Sequence, residues 1–233
     1  MITQPTRRPL WRRVTGSAWF HLVAAFVVVG LVLSFVAKPY VVPSESMEQT
    51  LQVGDRILVN RLAYLGSEPQ TGDVVVFDAD AAWDGELTGS SNPLKVALRW
   101  IGEVSGFGPS GSHTLVKRVI AGPGQTVRCC SDDGAVVVDG VALEERYISE
   151  NFPFVSGDLD CTTTPRSSRC FDEVTVPEGS YLVLGDHRSN SSDSATLCRV
   201  SGASASCWRW ATRSGIVGRA AFVLWPVDRW SGL

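Results

Sequence analysis

Thr114-Leu115-Val116-Lys117-Arg118-Val119-Ile120 is the stretch whose reading decides the fold. A period of two is the signature of an extended strand with two faces. It puts Lys117 on one face with Leu115 and Val119, and Val116, Arg118 and Ile120 on the other. Outward from there the same signal recurs in Arg56 to Leu62 and in Asp73-Val74-Val75-Val76-Phe77 after the turn Gln70-Thr71-Gly72. It returns in Ser180 to Leu184 and in Gly215 to Trp225, which Pro226 closes. Asp133-Gly134 and Asp139-Gly140 flank Ala135-Val136-Val137-Val138, a hairpin pattern. The chain reads as mainly β, an antiparallel sheet with little helix.

One segment departs from this. Pro93 to Val104 places Leu94, Leu98, Ile101 and Val104 near one helical face, with Asn92 positioned as a cap. Gly/Ser-rich stretches on both sides make it an excursion on loops. Two placements fit it: packed on the sheet, or resting on a membrane surface through Trp100 with Lys95 and Arg99 at the headgroups. Residues 144 to 179, rich in Ser, Thr, Pro and acids, read as a loop-heavy cap.

From Val14 through Ala37 there is no Asp, Glu, Lys or Arg, a run long enough to cross a bilayer at about 1.5 Å per residue. Arg7, Arg8, Arg12 and Arg13 precede it and only Lys38 follows closely. The positive-inside rule therefore puts the N-terminus in the cytoplasm and the β unit outside the plasma membrane. A cleaved signal peptide shares the basic start. The run is longer than a usual h-region, however, and ends in Ala37-Lys38-Pro39-Tyr40, a poor cleavage site, so an uncleaved anchor is expected. The division that follows is a cytoplasmic tail at 1–16, a transmembrane helix at 17–38, and a first part of the β-domain at 39–128 with the helical excursion 92–104. A small disulfide-containing cap at 129–179 and the second part of the β-domain at 180–233 complete it.

All six cysteines lie beyond the apolar run, as suits an oxidising space. Cys161/Cys170 and Cys198/Cys207 share one spacing and are expected to pair. Adjacent Cys129 and Cys130 have Cα atoms about 3.8 Å apart across a trans peptide, short of the usual disulfide range of roughly 4.4 to 6.8 Å. A vicinal bond and cross-links to the other loops both remain open. No metal site is expected, since there is no C-x-x-C pair and His113 and His187 lie far apart. A net charge of −3 argues against a nucleic-acid partner.

The chemistry centres on Pro43-Ser44-Glu45-Ser46-Met47-Glu48-Gln49-Thr50-Leu51, shortly after the apolar run. Ser46 is read as a nucleophile on a displayed loop. Ser46-Met47-Glu48-Gln49 also fits the capping box of a short helix. A serine nucleophile needs a base. A Ser46/His187/Asp186 triad can be written down, but adjacent residues point apart, so Asp186 would not orient His187. The other base is Lys117 on its apolar strand face. Desolvation disfavours the ammonium, lowering the pKa from about 10.4 and leaving an amine able to take a proton from serine.

Four separated segments, in order, resemble the conserved boxes of bacterial type I signal peptidases. They are Pro43 to Leu51 with Gly54-Asp55, Gly72-Asp73-Val74-Val75-Val76-Phe77, Val116-Lys117-Arg118-Val119-Ile120-Ala121-Gly122-Pro123-Gly124, and Gly185 through Ser194. The resemblance implies a membrane-bound serine endopeptidase that cuts signal peptides from exported preproteins after Ala-x-Ala and needs no cofactor. It implies Ser46 as nucleophile, Lys117 as general base, the Ser44 hydroxyl with the Ser46 N–H as oxyanion hole, and Ser191 orienting the lysine. Asp186 and Arg118 match a structural ion pair and Asp193 a carboxylate of the same loop. Tyr40, Val42, Met47, Leu51, Leu115 and Val116 match the lining of shallow substrate pockets. Glu45 replaces a small residue, placing a charge beside the oxyanion hole unless it points to solvent. Ala195 stands where a basic residue is common, leaving Arg188 to serve Asp193. The other readings are a related peptidase dedicated to one substrate and a disulfide-stapled binding module that cuts nothing.

Overall fold

The computed structural model describes residues 15–84, 114–200 and 202–233. A helix α1 (Ala18–Leu31) leads through a π-helical turn, Val32–Val36, into strand β1 (Ala37–Val41). Strands β2 (Arg56–Asn60), β3 (Val74–Asp78) and β4 (Thr114–Ala121) follow. Next come β5 (Thr126–Cys129), β6 (Val136–Val138), β7 (Val141–Ala142) and β8 (Phe171–Thr175). The chain ends in β9 (Ser180–Leu184), β10 (Ala211–Thr212), β11 (Ile216–Trp225) and β12 (Ser231–Gly232). Two antiparallel sheets result. The larger has the order β1-β2-β11-β3-β4-β9-β10 with β12 on β11, and the smaller the order β7-β6-β5-β8. The mainly β, antiparallel expectation matches this architecture.

The two-residue period explains how the larger sheet fills both its faces. Val74, Val76 and Val116 join Tyr40, Val42, Met47, Leu51, Ile57 and Val59 in one buried cluster. Val75, Phe77 and Val119 join Tyr64, Tyr181 and Val183 in another, with Leu115 packed against it. Ile120, Leu182 and Leu184 meet Val127, Val136, Val138 and Phe171 of the smaller sheet in a third. Val74 to Phe77 and Tyr181 to Leu184 are apolar at every position because each run supplies two cores.

β3 runs along β4 from Thr114 to Arg118, but β9 pairs on the other side only with Arg118 to Ala121. Among the described residues, no strand pairs with Thr114 to Lys117 on that second side.

Within the span 17–38, expected as a transmembrane helix, the structure describes a shorter helix. No helix among the described residues is long and apolar enough to cross a membrane. α1 has 14 residues, about 21 Å at 1.5 Å each. The helical hydrogen-bond pattern changes at Val32, and Ala37 and Lys38 pair with Asn60 and Val59 in the sheet. α1 buries none of its side chains. The helix expected at 92–104 lies outside the described residues.

Cys161–Cys170 and Cys198–Cys207 are bonded, and Cys129–Cys130 closes a vicinal disulfide. The trans geometry assumed for that last pair does not hold. Its peptide is cis and the Cα atoms are 2.9 Å apart.

Candidate active site

The serine loop leaves β1 and is closed at its base by backbone bonds. Val42 N–H donates to the Asp55 carbonyl and Gly54 N–H to the Val42 carbonyl, each at 2.9 Å. Asp55 is itself fixed, accepting from Gln52 N–H at 2.8 Å and from the Arg229 guanidinium at 3.0 Å. Within the loop, Glu45–Met47 form one 3-10 turn that buries Ser46 and Met47. Ser46 is thus inside the turn, not at the cap of a helix, and its hydroxyl is left for other partners.

That partner is Lys117. Its Nζ lies 2.7 Å from Ser46 Oγ, and the two residues are only 3 % and 7 % exposed. Nζ also donates to the Val116 carbonyl at 3.1 Å. A bond to its own strand's backbone holds the amine near the plane of the sheet, apart from the cluster that takes Leu115 and Val119. The half of β4 that β9 does not reach is what admits the serine turn there. Ser44 Oγ sits 3.3 Å from Ser46 Oγ.

The ring of support comes from the segment after β9. His187 N–H donates to the Ser46 carbonyl at 3.1 Å, tying that segment to the turn. Gly185 lies between them, and a Cβ there would collide with both Ser191 Oγ and the Ser46 carbonyl oxygen. Ser191 is therefore beside the pair, its Oγ buried and without a hydrogen-bond partner.

Asp186 is fully buried and grips Arg118 at both carboxylate oxygens, 2.9 and 2.6 Å. Thr50 Oγ1 donates to Asp186 at 2.6 Å and accepts from Arg118 at 3.1 Å. The guanidinium also donates to the Gly72 carbonyl and stacks 3.9 Å over the Tyr147 ring. With Asp186 so occupied, the alternative triad has no third member. His187 Nδ1 instead lies 3.1 Å from Glu48 and Nε2 3.7 Å from Glu150.

Two expected contacts are corrected. Arg188 does not serve Asp193. It forms a buried pair with Glu145 at 2.5 Å and donates to the Gly185 carbonyl at 2.9 Å. Asp193 takes Arg199 at 2.9 Å, from the segment that the Cys198–Cys207 disulfide pins. Ala195 is fully buried in the core between the sheets, so a side chain there would not reach solvent. Glu45 is exposed and accepts from Asn190 at 3.0 Å, so its charge is partnered outside the turn.

Of the pocket residues, Tyr40, Val42, Met47, Leu51 and Val116 come together in one cluster, while Leu115 packs on the opposite face of the sheet. Consecutive strand residues point apart, so Leu115 and Val116 do not share a wall.

Sequence reading missed Glu145 and Tyr147, which dock the smaller sheet's segment under the site. Tyr147 donates to Glu145 at 2.9 Å, and burial followed by the Glu145 charge raises its phenol pKa. Ser149 N–H to the Asp186 carbonyl and Arg188 N–H to the Glu150 carbonyl complete the seam. Only the acidic content of 144–150 hinted at it. The cysteine sulfurs of 130, 161 and 170 lie close together but are spent in disulfides, which removes them as thiolate ligands.

Known proteins resemble the chain over most of its length. The model of the signal peptidase, peptidase S26 family matches residues 16–225. The probable signal peptidase I of Mycobacterium leprae is 36 % identical over 250 aligned positions, which take in 100 % of this chain and 82 % of that protein. Signal peptidase I of Mycobacterium tuberculosis (strain CDC 1551 / Oshkosh) is 38 % identical over 231 positions, 96 % of this chain and 76 % of the relative. The crystal structure of a signal peptidase I from Enterococcus faecalis V583 aligns with a TM-score of 0.37 at 23 % identity, covering 66 % of this chain and 98 % of that one. A match over nearly the whole chain, taking in the serine turn and the lysine strand, leaves one conclusion: the chain belongs to the signal peptidase family, peptidase S26.

Proposed function

We propose that this protein removes signal peptides from exported preproteins as a serine endopeptidase, with Ser46 as nucleophile and Lys117 as general base. The observation that carries the assignment is the 2.7 Å contact between two buried groups, Lys117 Nζ and Ser46 Oγ. Burial strips water from the amine and disfavours its charged form. As the neutral amine it accepts the hydroxyl proton as Ser46 Oγ bonds to the scissile carbonyl carbon. The Ser46 N–H and the Ser44 hydroxyl face the oxygen on which charge develops. On collapse the C–N bond breaks and Lys117 returns its proton to the leaving amine. Water, deprotonated by the same amine, then releases the signal peptide and restores Ser46. Ser191, beside the pair, limits how the lysine turns.

The substrate adds as an extended strand between the Tyr40 to Ser44 edge and the side of Thr114 to Lys117 that β9 does not reach, reading alternate side chains. Tyr40, Val42, Met47, Leu51 and Val116 make the floor beneath it, a surface that suits Ala at the first and third positions before the cut. Leu115 enters only if its backbone, not its side chain, pairs with the substrate. The uncharged run Val14 to Ala37 is the anchor at the plasma membrane, with the sheets outside and the N-terminus inside. It is supported by α1, which buries none of its side chains and exposes Trp19 and Phe26.

The test uses detergent-solubilised wild type, Ser46→Ala and Lys117→Ala on a preprotein bearing Ala-x-Ala, with the new N-terminus read by mass spectrometry. Cutting after the second Ala by wild type alone is expected. Cutting by Lys117→Ala but not by His187→Ala would replace the lysine with the histidine.

A further inference from the structure

Beyond Ser191 lies a cavity of about 880 Å³ to which the reaction gives no role. One wall is the loop closed by Cys161–Cys170, with Thr163, Thr164 and Arg166. The other holds Thr196 and Arg199, next to the Cys198–Cys207 bond. Among the described residues its lining carries two guanidinium groups and several hydroxyls, and no carboxylate.

Five buried side-chain polar atoms among the described residues lack a hydrogen-bond partner, and three of them belong to this lining. They are Arg166 Nε, Arg199 Nε and Ser191 Oγ. Arg199 is held by Asp193 through its other nitrogens, and its side chain is only 7 % exposed. Arg166 pairs with Asp172, whose side chain is 85 % exposed. A buried donor without an acceptor is unfavourable, and three around one cavity call for a ligand that brings oxygen acceptors.

The chemistry of the cut gives the direction. Lys117 protonates the leaving amine, so the mature half of the substrate departs on the lysine's side of Ser46. Ser191, packed with Ser46 against Gly185, is also a wall of this cavity. The signal half occupies the opposite, apolar side over Tyr40 and Val42. We propose that the cavity between the two disulfide loops is a subsite for the substrate downstream of the scissile bond, where Arg166 and Arg199 select an acidic side chain. This inference rests on the signal-peptidase reading and adds a specificity to it.

The test takes full-length enzyme in neutral detergent and a preprotein series with Asp, Asn or Lys at each of the first few positions after the cut. At one position kcat/KM is expected to favour Asp over Lys by about tenfold or more, the scale of one charge-assisted hydrogen bond. Arg166→Glu should invert that ratio, and Arg166→Lys should retain part of it. Equal rates for all three residues at every position would overturn the subsite and leave the peptidase assignment standing. Failure of wild type to cut any member would overturn both. If anionic phospholipid, and not substrate charge, changes the rate through Arg166, the cavity takes headgroups and the proposal falls.

Discussion

In the larger sheet β3 is buried at four of five positions and β9 at all five, whereas in the smaller sheet only the three-residue β6 is buried throughout, β7 is exposed at both positions and β8 is buried at Phe171 alone. The larger sheet is held by apolar side chains on two faces. The smaller one borrows its core from the larger through Phe171 and Val127, and its loops are held by disulfides and by turns such as that around Asp160. A region that buries little apolar surface needs covalent staples to stay ordered. The difference separates two duties: Ser46 and Lys117 stand on the part fixed by packing, and the stapled loops surround the cavity beside them.

The comparison is sharpened most by removing the reacting groups. Ser46→Ala or Lys117→Ala should each lower kcat by at least about 10⁴-fold, read by preprotein cleavage, while substitutions in the stapled loops leave turnover of an Ala-x-Ala substrate detectable.

Next in size is Asp186→Ala, which strands the Arg118 charge against the Tyr147 ring. A loss of about 3–5 kcal/mol is expected, seen as a fall in the thermal midpoint in detergent. Asp172→Ala, removing an exposed partner of Arg166, should change stability by less than about 1 kcal/mol. Equal losses would break the contrast between packed and stapled regions.

Cys161→Ser with Cys170→Ser opens a loop of sequence separation 9, worth about 2–3 kcal/mol. Hydrogen exchange should quicken in 153–170 and stay slow in β3, β4 and β9. Faster exchange in β4 would mean that the two regions open as one.

The smallest effect concerns pH. Backbone N–H groups of Gly157 and Thr162 and the Thr162 hydroxyl hold the Asp160 carboxyl down at about 2. Its unfolded value is near 3.8. A depressed folded pKa means the contribution is present above that value and fades as pH falls toward 2. Protection of the 157–163 turn, relative to intrinsic exchange rates, should therefore fall as pH drops from about 4 to about 2, and Asp160→Asn should remove the dependence.

The strands were legible because alternation survives wherever a sheet has two faces, and Thr114 to Ile120 carried the signal for both. The serine–lysine pair was legible only with the family resemblance, since a lysine on an apolar face is equally well placed at a solvated edge. Contacts of long sequence separation were not legible. Nothing in the spacing says that Arg199 rather than Arg188 meets Asp193, or that Glu145 and Tyr147 close beneath Arg118. Those choices depend on where two loops land after both sheets have formed. Leu115 was misplaced among the pocket residues although alternation alone separates it from Val116.

The stretch of β4 beyond the reach of β9 has a further consequence among the described residues. A strand with a bare edge is a template for extension by another chain, and long flat edges lead to association between copies. Here the stretch without a β9 partner is four residues, Thr114 to Lys117, and the Ser46 turn stands at its end through the lysine. That is enough backbone to hold a short peptide in register and too little to seed a second sheet, so the slot resists aggregation by its brevity.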